Sequence, residues 1–156
     1  MTNRTGPAAS VSFLLARVGF ESARRLKERL APYGLEPRQF ALLNLVAIRE
    51  GSSQQAIADA IGIPKSRMVA LVDDLERRGA VERRPSDRRT HALHLTDEGR
   101  NLLQATRRLA RAHDAQLTQP LTADEREQLV ELLTKLAAEH DVPAGVHPAL
   151  ARRDSG

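Results

Sequence analysis

The sequence predicts a mainly α-helical fold with one small β-hairpin, and three observations carry that expectation. Apolar residues recur at helical spacing in six segments, each bounded by Gly, Pro or a capping side chain. Only the region from about Ala80 to Thr96 alternates with a period of two. Aromatic residues make up 3% of the chain, so Leu, Ile, Val and Ala must build the core.

Residues 1–9 carry Gly6 and Pro7 without an apolar period and read as a loose tail. Ser10 is placed to cap a helix whose residues Phe13 to Leu30 form a broad apolar stripe (Phe13, Leu14, Leu15, Val18, Ala23, Leu26, Leu30). "APYGLEP" interrupts it. A second helix starts at Pro37, which suits the first helical position, and runs to about Arg49 with Phe40, Leu43 and Ala47 inward. After Gly51, Ser52 and Gln55 have the spacing of a capping box for a short helix with Ile57, Ala60 and Ile61 on its apolar face. Gly62 closes it.

The next helix spans Pro64 to Arg78, with Met68, Leu71, Val72 and Leu75 inward and Gly79 at its left-handed terminus. "AVERRP" and "THALHLT" follow as two strands joined by "SDRR", with Leu93 and Leu95 alternating with Ala92 and His94. Thr96 caps a helix from Asp97 to about Leu117, whose acidic first turn suits the positive end of the helix dipole. Thr122 and Glu125 form a capping box for a last helix carrying Leu129, Leu132, Leu133 and Leu136. The segment 141–156 is rich in Pro and Gly and reads as a second tail.

Composition narrows the function. The chain has 156 residues, one domain's worth, with Lys+Arg 24 against Asp+Glu 20. A formal net charge of +4 and an isoelectric point near 10.3 permit binding to nucleic acid or another anionic surface if the charge is clustered. With no cysteine, disulfides, thiolate nucleophiles, thiol switches and Cys-based metal sites are excluded. No apolar run reaches membrane-span length and "MTNRTGPAAS" lacks a signal peptide's apolar stretch, so a cytoplasmic protein is expected.

Two short helices around a Gly-containing turn, followed by a hairpin, are the parts of a winged helix–turn–helix. The major groove of DNA admits one helix, and that helix's N-terminal residues meet the base edges. Here the second helix offers Lys65, Ser66 and Arg67 in its first turn, with Val69 and Ala70 along the outward side. Asp73 and Asp74 would repel phosphates; they mark the end of the contact surface or pair with Arg77 and Arg78. The competing reading is an ordinary polar helix start. The hairpin weighs against it, because Arg83, Arg84, Arg88 and Arg89 stand there with Asp87. Arginine at a hairpin tip can enter a narrow minor groove, and Asp87 is spaced to orient Arg89 by a charge-assisted bond.

These residues bring a resemblance into view. From about Leu35 to Leu103 the chain resembles the MarR family of bacterial transcriptional regulators. Its most specific part is "RRGAVERRPSDRRTHALHLTDEG", with "L-E-x-x-G-x-V-x-R", "D-R-R" and "L-T-x-x-G" in the family's order. The resemblance implies that Asp87 and Arg89 are the wing's acid–arginine pair, with Arg88 beside them, and that Lys65 to Ala70 form the recognition surface. Two features depart from the family pattern: Ala70 stands where members often carry a polar or basic residue, and the hairpin is short before Asp87.

The resemblance also implies a division into an N-terminal dimerisation helix (10–34), a DNA-binding domain (35–98) and C-terminal dimerisation helices (99–140). Bare physics agrees on dimerisation, since the apolar stripes of the first and last helices exceed what a small winged helix covers. A two-fold dimer requires a pseudo-palindromic operator. Repression is the family's commoner mode, and no residue decides between it and activation. Members often bind aromatic or weakly acidic effectors in the crevice between the dimerisation helices and the DNA-binding domain. Phe13, Arg17, Phe20, Tyr33, Arg38 and His113 are the candidates here, and each is also accounted for as plain core or surface.

No enzyme is expected. His91 and His94 are three apart in a strand and face opposite sides, which opposes a shared metal, and neither "GxGxxG" nor "GxSxG" occurs. No cofactor is implied. The remaining alternative is a winged helix serving as a protein-interaction module without specific DNA binding.

Overall fold

The computed structural model describes residues 10–87, 90–140 and 150. Its order is α1 (Val11–Leu30), a 3-10 turn (Ala31–Tyr33), α2 (Pro37–Ile48), α3 (Gln54–Ile61), α4 (Lys65–Arg77), β1 (Val81–Asp87), β2 (Thr90–Leu95), α5 (Asp97–Leu117) and α6 (Ala123–Glu139). Helix with a two-stranded antiparallel hairpin is the predicted class. Ser10, Thr96 and Thr122 cap α1, α5 and α6 through side-chain oxygens that accept amide N–H groups. At α6 the capping box is complete, because Glu125 also accepts the Thr122 N–H at 2.8 Å.

The core lies where α2, α3, α4, the hairpin and the start of α5 meet. Leu42, Leu43, Val46, Ile57, Met68, Val72, Leu75, Val81 and Leu93 are all almost fully buried there. Leu150, inside the predicted C-terminal tail, is buried with the same cluster. By contrast, α6 buries none of its residues and α1 buries only Leu30. Their apolar stripes face outward: Val18 is 52% exposed, Phe20 73% and Leu132 54%.

Four local expectations are corrected. The cap of α3 is Ser53, whose Oγ accepts the Ala56 N–H at 3.1 Å, not Ser52. Backbone demand explains the shift: the Ser52 carbonyl accepts the Leu93 N–H at 2.9 Å, and the Leu93 carbonyl accepts the Gly51 N–H at 3.0 Å. With Ser53 bridging to Ala92, residues 51–53 line the free edge of β2. On the inner face Ala58 is buried with Ile57 and Ile61, and Ala60, expected there, is exposed. In β2, Ala92 is buried along with Leu93 and Leu95, and the predicted alternation breaks there. Finally, Pro64 is the N-cap of α4 rather than its first residue.

The hairpin is longer than predicted. Ser86 and Asp87, expected in the connection, belong to β1, and the register shifts between Pro85 and Asp87. A proline is tolerated there because β1 is an edge strand with a local irregularity. Arg88 and Arg89 lie outside the described residues, as do residues 1–9.

Candidate nucleic-acid interface

The helix–turn–helix is set by one glycine and one buried stripe. Gly62 ends α3 at φ +68°, a left-handed conformation that β-carbon-bearing residues rarely adopt, and it redirects the chain into α4. Met68, Leu71, Val72 and Leu75 anchor α4 to the core. The opposite side of its first turns is thereby turned to solvent: Lys65, Ser66 and Ala70 are exposed, and Arg67 and Val69 are half-buried. The five recognition residues read from the sequence thus fall on the outer side of one helix, at its positive end.

The acids of α4 are occupied within the protein. Asp74 accepts hydrogen bonds from Arg77 at 3.1 Å, from Arg78 at 3.2 Å and from Gln39 of α2. Arg78 also donates to the Gly34 carbonyl at 2.5 Å, fixing the end of α4 to the turn before α2. Asp73 differs from the expected pairing: it takes Arg83 of β1, at 2.5 Å. Arg83 is correspondingly withdrawn from the set of wing arginines, its side chain only 24% exposed. Arg84 remains at the surface and pairs with Glu82.

A second polar group ties the hairpin to α5. Glu50 accepts Arg100 at 2.6 Å and the Leu95 N–H at 3.2 Å, and His94 Nδ1 lies 3.6 Å away. The bonds from Arg100 hold the Glu50 carboxyl below the usual carboxylate range against the opposing effect of burial. The Glu50 set is not visible as a motif, whereas Glu76 and Arg83 are the acid and the arginine of "L-E-x-x-G-x-V-x-R", although the motif alone does not pair them. One signal did exist for Arg83: it lies two residues after buried Val81, on the strand face that points inward, where a cation needs partners.

The six effector candidates divide. Phe13 and Arg17 come together, with the guanidinium carbon 5.7 Å from the ring centroid. His113 is buried and shares a 3.1 Å hydrogen bond between its Nε2 and Ser22 Oγ, which joins α5 to α1. Phe20, Tyr33 and Arg38 are exposed, and among the described residues no hydrogen bond or ring contact links them to the other three. Among the described residues, no group of three or more His, Asp or Glu is placed to hold a metal ion. No described helix is long and apolar enough to cross a membrane.

His113 yields a pH prediction. Burial, followed by the nearby Arg29 charge, lowers its pKa from the usual value. The unfolded chain therefore takes up this proton more readily than the folded one. Stability from this group is intact well above the unfolded pKa of about 6.5 and falls as pH drops through that value, until the folded pKa is passed. Melting curves across this range should show a shallower acid loss for His113→Gln than for the unaltered protein. Equal slopes would mean that His113 is solvated when folded.

Comparison with known proteins places this geometry. Residues 33–90 match the model of the MarR family. A curated relative from Thauera aromatica, described as a putative transcriptional regulatory protein for the hcr operon, is 32% identical over 116 residues, covering 72% of this chain and 70% of its own. The transcriptional repressor CouR bound to a 23-mer DNA duplex is 34% identical, with a TM-score of 0.74 over 88% of this chain and 99% of that one. CouR from Rhodococcus jostii RHA1 has also been solved with p-coumaroyl-CoA, where it is 32% identical with a TM-score of 0.71 over 85% and 95% of the two chains. A MarR family protein of Mycobacterium tuberculosis in complex with salicylic acid is 30% identical, with a TM-score of 0.65 over 82% and 96%. Fold, hairpin and sequence agree over most of the length, and the chain belongs to the MarR family of transcriptional regulators.

Proposed function

We propose that the chain is a homodimeric repressor that occupies a pseudo-palindromic operator and is released by a small aromatic or weakly acidic effector. The observation that carries DNA binding is the outer side of α4: Lys65 and Ser66 stand exposed at the start of a helix whose opposite face is locked in the core. In this reading Lys65 takes a phosphate, Ser66 a phosphate or base, and Arg67 a guanine, while Val69 and Ala70 lie against the groove. Arg88 and Arg89 reach the minor groove, with Asp87 orienting Arg89. The solved DNA complex of CouR supports DNA binding by similarity.

Dimerisation is supported by the outward apolar faces of α1 and α6. Leaving Leu14, Leu15, Val18, Leu132 and Leu136 in water opposes folding as a lone subunit, and a second copy offers the same faces in return. Residues 10–34 and 99–140 are then the dimerisation helices, 35–98 the DNA-binding unit, and 1–9 and 141–156 the tails. Release by an effector is supported by the salicylic acid and p-coumaroyl-CoA found on relatives. Such a ligand acts by favouring dimers whose recognition helices do not match the groove spacing. Phe13 with Arg17 is the candidate pair here for an anionic aromatic group, and Phe20, Tyr33, Arg38 and His113 complete the set to be tested. The role is that of a regulator without catalytic chemistry or cofactor.

Lys65 and Arg67 should fail differently. Lys65→Ala should weaken binding to operator and random duplex alike and reduce the salt slope by about one. Arg67→Ala should cost roughly 1–3 kcal/mol on the operator and relax preference at one base position. Titration against a series of single-base operator variants reads both. An unchanged preference profile in the Arg67 variant would move base readout to Ser66 or to the wing, and absence of any duplex binding would favour a protein-interaction module.

A further inference from the structure

We propose that Arg83, Asp73, Glu76 and Gln54 form a clamp that sets the wing's position relative to the recognition helix, and that its two acids promote operator binding although they carry the wrong charge for DNA. The inference rests on the DNA-binding reading above and concerns which residues position that interface.

Arg83 sits early in β1 and reaches back to both helices of the helix–turn–helix. Its Nη2 donates to Asp73 Oδ1 at 2.5 Å and to Gln54 Oε1 at 3.0 Å. Its Nε donates to the same Gln54 oxygen at 3.3 Å, and its Nη1 donates to Glu76. The Arg83 backbone N–H completes the set, donating to the other Glu76 oxygen at 3.4 Å. One guanidinium thereby links α3, α4 and β1, the three pieces that must share one geometry on a duplex. Its planar fork fixes direction as well as distance, which a lysine ammonium cannot do.

Charge makes the proposal testable by sign. Asp73 and Glu76 lie on the helix that would enter the groove, so on electrostatics alone removing either acid should strengthen binding to every DNA. If they act through the clamp, removing one instead loosens the wing. Operator binding, which needs helix and wing engaged together, should then fall while random-duplex binding holds or rises. Arg83 itself, neutralised by two acids, should contribute no phosphate contact.

The experiment measures Kd for operator and for random duplex over a range of salt, well below the melting temperature, for Asp73→Asn, Glu76→Gln, Arg83→Lys and Arg83→Ala. Asp73→Asn and Glu76→Gln should each lower the operator-to-random ratio about tenfold, with random-duplex binding unchanged or tighter. Arg83→Ala should lower the same ratio without changing the salt slope, and Arg83→Lys should restore little of it. Glu76→Gln, at an exposed position, keeps the test open should an Asp73 or Arg83 variant fold poorly. Unchanged ratios, or operator binding that tightens in step with random binding, would overturn the clamp. So would a loss of about one unit of salt slope in Arg83→Ala, which would make Arg83 a phosphate contact. If the unaltered protein prefers no duplex at all, it is the DNA-binding reading that fails.

Discussion

Arg89→Ala should abolish tight operator binding while leaving the dimer and its melting temperature nearly unchanged. The strands flanking residues 88 and 89 pair up to Asp87 and Thr90, so the sequence "RR" stands between the ends of the hairpin's paired residues. Of the two other arginines of this run, Arg83 is held by Asp73 and Glu76, and Arg84 pairs with Glu82 at the surface. Under the proposed function minor-groove insertion falls to Arg88 and Arg89, and the family pattern singles out Arg89. Loss of one such contact costs about 1–3 kcal/mol, and a two-fold dimer loses it twice, about 2–6 kcal/mol in all. Asp87→Ala should lose less, because the arginine remains without its orienting partner, and a double-mutant cycle should show clear non-additivity. Arg89→Lys should rescue in part only. Fluorescence anisotropy with a labelled operator decides the point. An Arg89→Ala protein that binds as the unaltered one does would reduce "RRPSDRR" to a solvated turn.

The second large effect is structural. Gly99 stands in the first turn of α5, directly over the segment joining α4 to β1. A β-carbon built there would lie 1.9 Å from the Ala80 carbonyl oxygen and 2.8 Å from its carbon, both backbone atoms that cannot swing aside. The same carbonyl accepts the Thr96 N–H at 3.2 Å, and Thr96 Oγ1 both donates to the Gly79 carbonyl at 2.5 Å and accepts the Gly99 N–H at 2.9 Å. Any retreat of α5 therefore breaks its own cap. Gly99→Ala should destabilise at the upper end of overpacking costs, about 3 kcal/mol. For a chain of this size that is a fall of about 6–12 °C in Tm. The glycine of "L-T-x-x-G" is thus required by close approach, since Gly99 is helical and needs no unusual φ. A melting temperature unchanged by the substitution would show that α5 and Ala80 are farther apart than described.

Local signals in the sequence were sufficient for much of the fold. Capping side chains at Ser10, Thr96 and Thr122 mark their helix starts because the bonds involved span three residues. The apolar face of α4 follows from spacing alone. What failed was set by distant partners. Ser52 has the right side chain for a cap, but its backbone is committed to β2, about forty residues away in the chain. Arg83 belongs to a basic run when read locally, yet its partners are Gln54, Asp73 and Glu76 on two preceding helices. Of the candidate site, the α4 surface was legible because one helix face holds all of it. The proposed effector set draws on α1, α2, α5 and the turn after α1, and sequence spacing does not encode how such separate segments approach one another.

Selection of duplexes from a random pool by the purified full chain, followed by sequencing of the bound fraction, tests the proposed role most directly. A two-fold dimer reading major groove with α4 and minor groove with the wing predicts inverted half-sites with centres one helical turn apart, about 10 base pairs. Enrichment of an unsymmetrical single site, or of no sequence at all, would contradict it.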